Sequence, residues 1–212
     1  MIVALEAIIV KKQPSQRKQA MQIDENSIFY PSTLGEWRQW LSENHVEKEF
    51  VWVVFYKKKT GKPTITWSQS VDEALCFGWI DSVQKKYDEE RSIQFFSKRK
   101  PKSTWSKINK EKIKNLINEG RMTQAGLDCI TIAKQNGSWT ILDEVEELII
   151  PEDLAIELNA KADAKDFFMS LSKSIRKAML QWLVLAKRPE TRQKRITEIV
   201  ELADKKQKPK QF

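Results

Sequence analysis

The spacing of apolar residues changes character several times along the chain, and each change predicts an element. Thr33-Leu-Gly-Glu36 is a capping box, in which a hydroxyl and a carboxylate three residues apart can satisfy the free N–H groups of a helix start. Trp37, Trp40 and Leu41 follow at helical spacing, so a helix is expected over 34–45. Phe50–Tyr56 (FVWVVFY) is instead an unbroken β-branched and aromatic run, which predicts a strand buried on both faces. Ser70-Val-Asp-Glu73 reads as a second capping box, opening a short helix through Ala74, Leu75 and Phe77 that stops at Gly78. In this reading Asp72 and Glu73 are capping residues. Ile80–Tyr87 and Ser92–Lys98 alternate as two antiparallel strands joined through Asp88–Arg91. Lys98–Lys102 is a basic loop broken by Pro101.

Helical spacing then takes over. Ile108, Ile113, Leu116 and Ile117 mark one helix ending near Gly120. Thr123 caps the next, with Leu127, Ile130 and Ala133 inside and Gly137 as its stop. Pro151 suits the first position of a helix, and Glu152 and Asp153 favour its positive end. Ser172 caps a helix with Ile175, Ala178, Met179, Trp182 and Ala186 inward, and Pro189 starts the last, buried through Ile196, Ile199, Val200 and Ala203. Strands cluster early and helices late, which predicts an α+β protein: a small antiparallel sheet with helices in the N-terminal half, and a helical C-terminal half. The expected organisation is an arm at 1–27, a mixed core domain at 28–147, a helical segment at 148–205 and a basic tail at 206–212.

Composition narrows the function classes. With 41% hydrophobic and 31% charged residues the 212-residue chain can bury a core and keep a polar surface. Met1–Lys12 is apolar but short, contains Glu6 and lacks a basic start, so it reads as an extra strand or an extension and not as a signal peptide. No stretch reaches the length of an uncharged membrane-spanning helix, and a cytoplasmic location is expected. Cys76 and Cys129 lie within apolar patterns and read as buried thiols. A single histidine, His45, argues against a histidine-rich metal site or triad, and no phosphate loop, dinucleotide fingerprint, zinc ligand set or nucleophile elbow is present. No catalytic residue, metal ligand or cofactor is therefore assigned.

Charge is unevenly spread. The net charge is +8, and residues 91–114 carry nine basic groups against one acid, whereas 138–166 carry nine acids against two lysines. The basic window contains a string, Arg99-Lys100-Pro101-Lys102-Ser103-Thr104-Trp105-Ser106, that enters a helix. Backbone N–H groups and cations at such a start favour an anion. Trp79 and Asp81, at the corner where a helix hands over to a strand, project to one strand face. The candidate ligand site is therefore Trp79, Asp81, Arg99, Lys100, Ser103, Trp105 and Ser106, suited to an anionic small molecule or a phosphate-bearing ligand. The bland alternative leaves the tryptophans in the core and the lysines solvated. Two other readings compete: a nucleic-acid surface over 91–114, and an enzyme on an anionic substrate with Asp81 as acid/base. A docking role for the C-terminal helices would require an exposed apolar patch there. Arg188, Arg192 and Arg195 form a secondary basic stripe at helical spacing, which solubility or pairing with the acidic segment also explains. Oligomeric state is not legible.

Several strings together resemble the YdeI/OmpD-associated family over roughly residues 28–205. They are Trp37-Arg-Gln-Trp40-Leu41, Phe55-Tyr56-Lys57-Lys58 with Gly61-Lys62-Pro63, Val71 to Asp81, Arg99 to Asn109, Gly120-Arg121-Met122-Thr123 with Gly126, Pro151-Glu-Asp153-Leu, and Ala186 to Arg192 with Arg195-Ile196. Phe96-Ser97-Lys98 and Asn136-Gly137-Ser138-Trp139 depart from the family pattern, and the first 27 residues have no counterpart in it. The resemblance implies a link to protection against bacteriocins or cationic antimicrobial peptides. That is a phenotype without an attached reaction. In a protein lacking an export signal, protection would act through stress physiology or an internal partner.

Overall fold

A computed structural model describes residues 24–212. Most of the expected arm thus lies outside the described residues. Its last part, Glu25–Ser27, is a 3-10 turn whose first N–H groups are capped by Asp24.

The N-terminal half is a four-stranded sheet with helices on one face. In chain order it holds β1 (Ile28–Phe29), α1 (Leu34–Asn44), β2 (Phe50–Tyr56), α2 (Trp67–Cys76), β3 (Trp79–Lys86), β4 (Arg91–Lys98), α3 (Lys107–Asn118) and α4 (Gln124–Gln135). The spatial order is β1-β2-β4-β3. β4 pairs antiparallel with both β2 and β3, while the two-residue β1 runs parallel to β2 at one edge. The α+β architecture is as expected; the parallel edge is an addition too short to leave a periodic signal.

Alternation along β2 explains its apolar run. Val51, Val53 and Phe55 join Trp37, Leu41, Trp79 and Phe96 in the core under the helices. Trp52 and Val54 point the other way and gather with Ile93.

α2 begins earlier than the sequence suggested. The working capping box is Thr66 with Gln69: Thr66 Oγ1 accepts from the Gln69 amide, and the Gln69 side chain accepts from the Thr66 amide. Ser70 therefore sits a turn inside the helix, fully buried, and its carbonyl accepts from Trp37 Nε1 at 3.0 Å. Asp72 and Glu73 are not caps; Asp72 pairs with Lys112, and Glu73 pairs with Arg38 and Arg121. Both Thr66-x-x-Gln69 and Ser70-x-x-Glu73 satisfy the capping pattern, and tertiary burial decides between them.

α2 and α4 approach closely. Thr123 does not cap α4 with its side chain; it donates through both N–H and Oγ1 to the Cys76 carbonyl, at 3.1 and 2.6 Å. Gly126 makes this contact possible, because a Cβ there would lie well inside van der Waals distance of that carbonyl and of Met122. Gly126→Ala is accordingly expected to destabilise by about 2–3 kcal/mol despite the roughly 1 kcal/mol advantage of alanine in a helix. Urea denaturation measures this, and an unchanged or raised stability would contradict the contact.

The C-terminal half contains α5 (Asp143–Glu146), α6 (Glu152–Asn159), α7 (Ala162–Ser170), α8 (Lys173–Val184) and α9 (Pro189–Asp204). Pro151 is the residue before α6 and not its first, whereas Pro189 opens α9 as expected. α5 and α7 were not anticipated, since both are too short for a clear repeat of apolar positions. A second core runs from Leu142 and Val145 through Leu154, Phe168, Met179, Leu183 and Ile196 to Ala203. No helix among the described residues is long and apolar enough to cross a membrane.

Candidate functional site

The two distinctive strings of the N-terminal half meet in space. Gly78 takes a positive φ of 72° between α2 and β3, where a Cβ would collide with Cys129 Sγ. Its carbonyl accepts from the Arg99 backbone N–H at 2.9 Å, immediately beyond the Trp79–Lys98 register pair. The turn after Arg99 is braced from α4's end: Asn136 Nδ2 and Ser138 Oγ both donate to the Pro101 carbonyl, at 2.7 and 3.3 Å.

Arg99 is the unusual side chain here. It is only 9% exposed. Its guanidinium lies over the Trp105 ring at 3.6 Å from the centroid, and Nη2 donates to the Thr104 carbonyl at 2.6 Å. Nε and Nη1 are fully buried and have no hydrogen-bond partner among the described residues. Among the described residues no carboxylate forms an ion pair with it; Asp81 acts on its charge only through space. Burial pushes the guanidinium down to about 10, the direction expected for a cation removed from water without a counter-ion.

Arg99 lines a cleft of about 410 Å³. Ser103, Thr104 and Ser106 form its near wall with Ile80 and Asn109, and Leu142, Glu146, Lys177 and Gln181 close it from the C-terminal half. Ser106 caps α3 by accepting from the Asn109 amide at 3.3 Å. The next free N–H of that helix start, Lys107, already donates to Glu146 at 3.2 Å, and Glu146 also pairs with Lys177. Burial pushes the Glu146 carboxyl up, and the bonds from Lys177 and the Lys107 amide outweigh it, so the carboxyl ends below its ordinary range.

The other predicted site residues divide. Trp79 is in the core, its Nε1 donating to the His45 carbonyl at 3.3 Å. Trp105 is buried beneath Arg99 and packs on Trp139. Lys100 is on the surface. Asp81 lines a different cleft, with Trp67, Ser82, Gln84 and Gln94. Alternation places it on the opposite side of β3 from Ile80, which faces the Arg99 cleft. Lys177, Glu146 and Gln181 belong to the cleft but were not foreseen; the acidic run over 138–166 was the only hint of Glu146.

Much of the basic window is paired. Arg91 meets Asp88, Lys98 meets Glu49, Lys107 meets Glu147, Lys110 meets Asp143 and Lys112 meets Asp72. Four of these pairs reach across the sequence, two of them into the acidic segment. The secondary stripe is similarly engaged: Arg192 binds Asp153 through Nε and Nη2 at 2.5 and 2.8 Å, and Arg195 donates to the Trp182 carbonyl and lies over its ring. Among the large apolar side chains of α8, α9 and the residues joining them, only Leu185 is exposed, so the docking reading finds no patch there. Cys76 and Cys129 are both free thiols, pushed up by burial. Among the described residues no group of His, Cys, Asp or Glu is arranged to hold a metal ion.

Comparison with known proteins gives two matches along the chain. Residues 147–206 match the family described as Bacteriocin-protection, YdeI or OmpD-Associated. The likeness to that family lies in the C-terminal segment. Residues 29–129, which contain the Gly78 corner and the Arg99 string, match a domain of unknown function (DUF8412). The resemblance read over 28–205 is matched by the YdeI/OmpD-associated model only at 147–206, the helices from α6 to α9, while 29–129 matches the domain of unknown function instead. The Arg99 cleft lies between the two: its near wall is from the domain of unknown function, and Lys177 and Gln181 come from the YdeI/OmpD-associated segment. No curated protein and no solved structure matches the chain.

Proposed function

We propose that this protein binds a small anion, of the phosphate or carboxylate class, in the cleft between the Arg99 turn and the YdeI/OmpD-associated segment. Arg99 carries the reading. A guanidinium buried with two unpaired N–H groups and no counter-ion is costly, and an oxyanion accepting from both would recover that cost. Lys177 and the Ser103 and Ser106 hydroxyls supply further donors around the same space. Nε and Nη1 are closed off from bulk water, so binding involves a shift of the Ser103–Ser106 rim.

The competing readings fit less well. A nucleic-acid surface needs a broad open array of cations, whereas five of the nine in the 91–114 window are already paired and Arg99 is buried. An acid/base role for Asp81 needs the cations beside it, whereas it lines another cleft. The protection in the family's name would then be a consequence of ligand occupancy and not of direct contact with a toxin.

A thermal-shift series with inorganic phosphate, citrate and a nucleoside monophosphate, each matched in ionic strength with chloride, tests the proposal. At least one oxyanion is expected to raise the melting temperature saturably, and a response no larger than that of chloride would refute it. Glu146 competes for the same helix start, so Glu146→Gln is expected to tighten oxyanion binding by about three- to tenfold. The same change gives up an ion pair whose lysine is well exposed, at less than about 1 kcal/mol. Because the folded carboxyl lies below its ordinary range, that contribution is present above this range and lost as the pH falls through the folded value. Glu146→Gln should therefore flatten the acid limb of the stability profile.

A further inference from the structure

The cleft around Asp81 differs in chemistry from the Arg99 cleft. It encloses about 520 Å³ and is lined by Trp67, Asp81, Ser82, Gln84 and Gln94, with one carboxylate and no cation in a chain of net charge +8. Trp67, the first residue of α2, is 51% exposed, although three of the eight tryptophans are among the largest fully buried side chains. Its ring is held in place: Nε1 donates to Asp81 Oδ2 at 2.8 Å. Gln94, only 3% exposed, donates to the same oxygen at 3.0 Å. Asp81 Oδ1 takes part in no hydrogen bond among the described residues. The β3–β4 register slips between Asp81 and Gln84, and such bulges turn side chains of an edge strand out of the ladder. Ser82 and Gln84 accordingly lie exposed at the cleft.

These features select a ligand class. The carboxylate disfavours an anion. Four of the five lining side chains are polar, which disfavours an apolar guest. One aromatic wall is less than the several that enclose an organic cation. What remains complementary is a ring with a hydrogen-lined face and several neutral hydroxyls around its edge. A fixed indole offers the flat apolar surface, and a carboxylate oxygen with neighbouring amides and a hydroxyl offers the acceptors and donors. We propose that this second cleft binds a neutral sugar ring, stacked on Trp67 with adjacent hydroxyls on Asp81 and on the Gln84 and Gln94 amides. The site is separate from the anion site, and neither depends on the other.

Titration of the ¹⁵N-labelled full chain with methyl glucoside, methyl galactoside, methyl mannoside, N-acetylglucosamine and maltose, each to about 50 mM, reaches millimolar affinities. At least one saccharide is expected to shift the Trp67 indole N–H saturably. Trp67→Ala and Asp81→Asn should each weaken that saccharide by at least about tenfold, followed on the Ser82 and Gln84 amides, with melting temperature unchanged. Asparagine at 81 keeps an acceptor for the indole, so Asp81→Asn tests the charge without removing the scaffold. No shift with any saccharide, a stronger response to choline than to every saccharide, or binding that survives both substitutions would overturn the assignment. Arg99→Met should leave the saccharide response intact, so failure here and failure at the anion site are separately visible.

Discussion

Glu73→Ala is expected to cost about 2–4 kcal/mol and to lower the melting temperature by roughly 4–15 °C. Glu73 is 4% exposed in the middle of α2 and receives two guanidinium groups: Arg38 from α1 at 2.6 Å and Arg121 from the α3–α4 connection. Arg38 ties the group further by donating to the Arg121 carbonyl at 2.9 Å and by lying over Phe77. Removing the carboxylate leaves two like charges facing each other across a partly buried space. Both arginines keep about a third of their side-chain surface exposed, so water recovers part of the loss, which stays below that for a fully buried pair. Glu73→Gln, which keeps an acceptor but no charge, should cost about half as much. A loss under about 1 kcal/mol for the alanine variant in urea denaturation would show that the cluster is solvated and not structural.

Arg99→Met is expected to act in the opposite sense on stability and to abolish the oxyanion response. The downward shift of the guanidinium to about 10 expresses a burial cost on the order of 3 kcal/mol. The stacking on Trp105 and the bond to Thr104 offset part of the cost of holding this side chain in place. Methionine keeps much of the packing volume without the charge, so resting stability should be unchanged or about 1 kcal/mol higher. The sign follows from linkage: the unfolded chain holds its proton at higher pH than the folded one, so the burial cost is present below about pH 10 and fades above it. A residue whose removal stabilises the resting protein and erases ligand response is one retained for binding. Marked destabilisation by Arg99→Met, with the phosphate response retained, would assign Arg99 to the scaffold instead.

The sequence made the framework legible where one rule acted without competition. The Trp37–Leu41 face, the FVWVVFY strand, the 80–98 hairpin and the Ser172 and Pro189 helix starts all follow local patterns that tertiary packing left in place. It misled where two equivalent signals overlapped. Thr66 and Ser70 both begin capping patterns, and only the Trp37 indole bond to the Ser70 carbonyl shows which is inside the helix. The site was half visible for a related reason. Arg99, Ser103, Trp105 and Ser106 are near neighbours, so their string reported their proximity. Asp81 and Arg99 come from different strand ends, and one step of strand alternation sends Asp81 to a separate cleft beside Trp67. Glu146 and Lys177 reach the Arg99 cleft from helices far along the chain, where no periodicity encodes the meeting. The charge asymmetry did carry information, though as pairing: Lys107 and Lys110 close on Glu147 and Asp143, and Arg192 on Asp153.

Whether the unpaired N–H groups of Arg99 receive an anion is decided by following the arginine side-chain resonances in a ¹⁵N-labelled sample titrated with inorganic phosphate at constant ionic strength. A saturable downfield shift of the Arg99 Nε–H is expected, accompanied by the Ser103 and Ser106 amides. An Arg99 signal that stays fixed while phosphate moves only the exposed Lys100 and Lys102 region would contradict it.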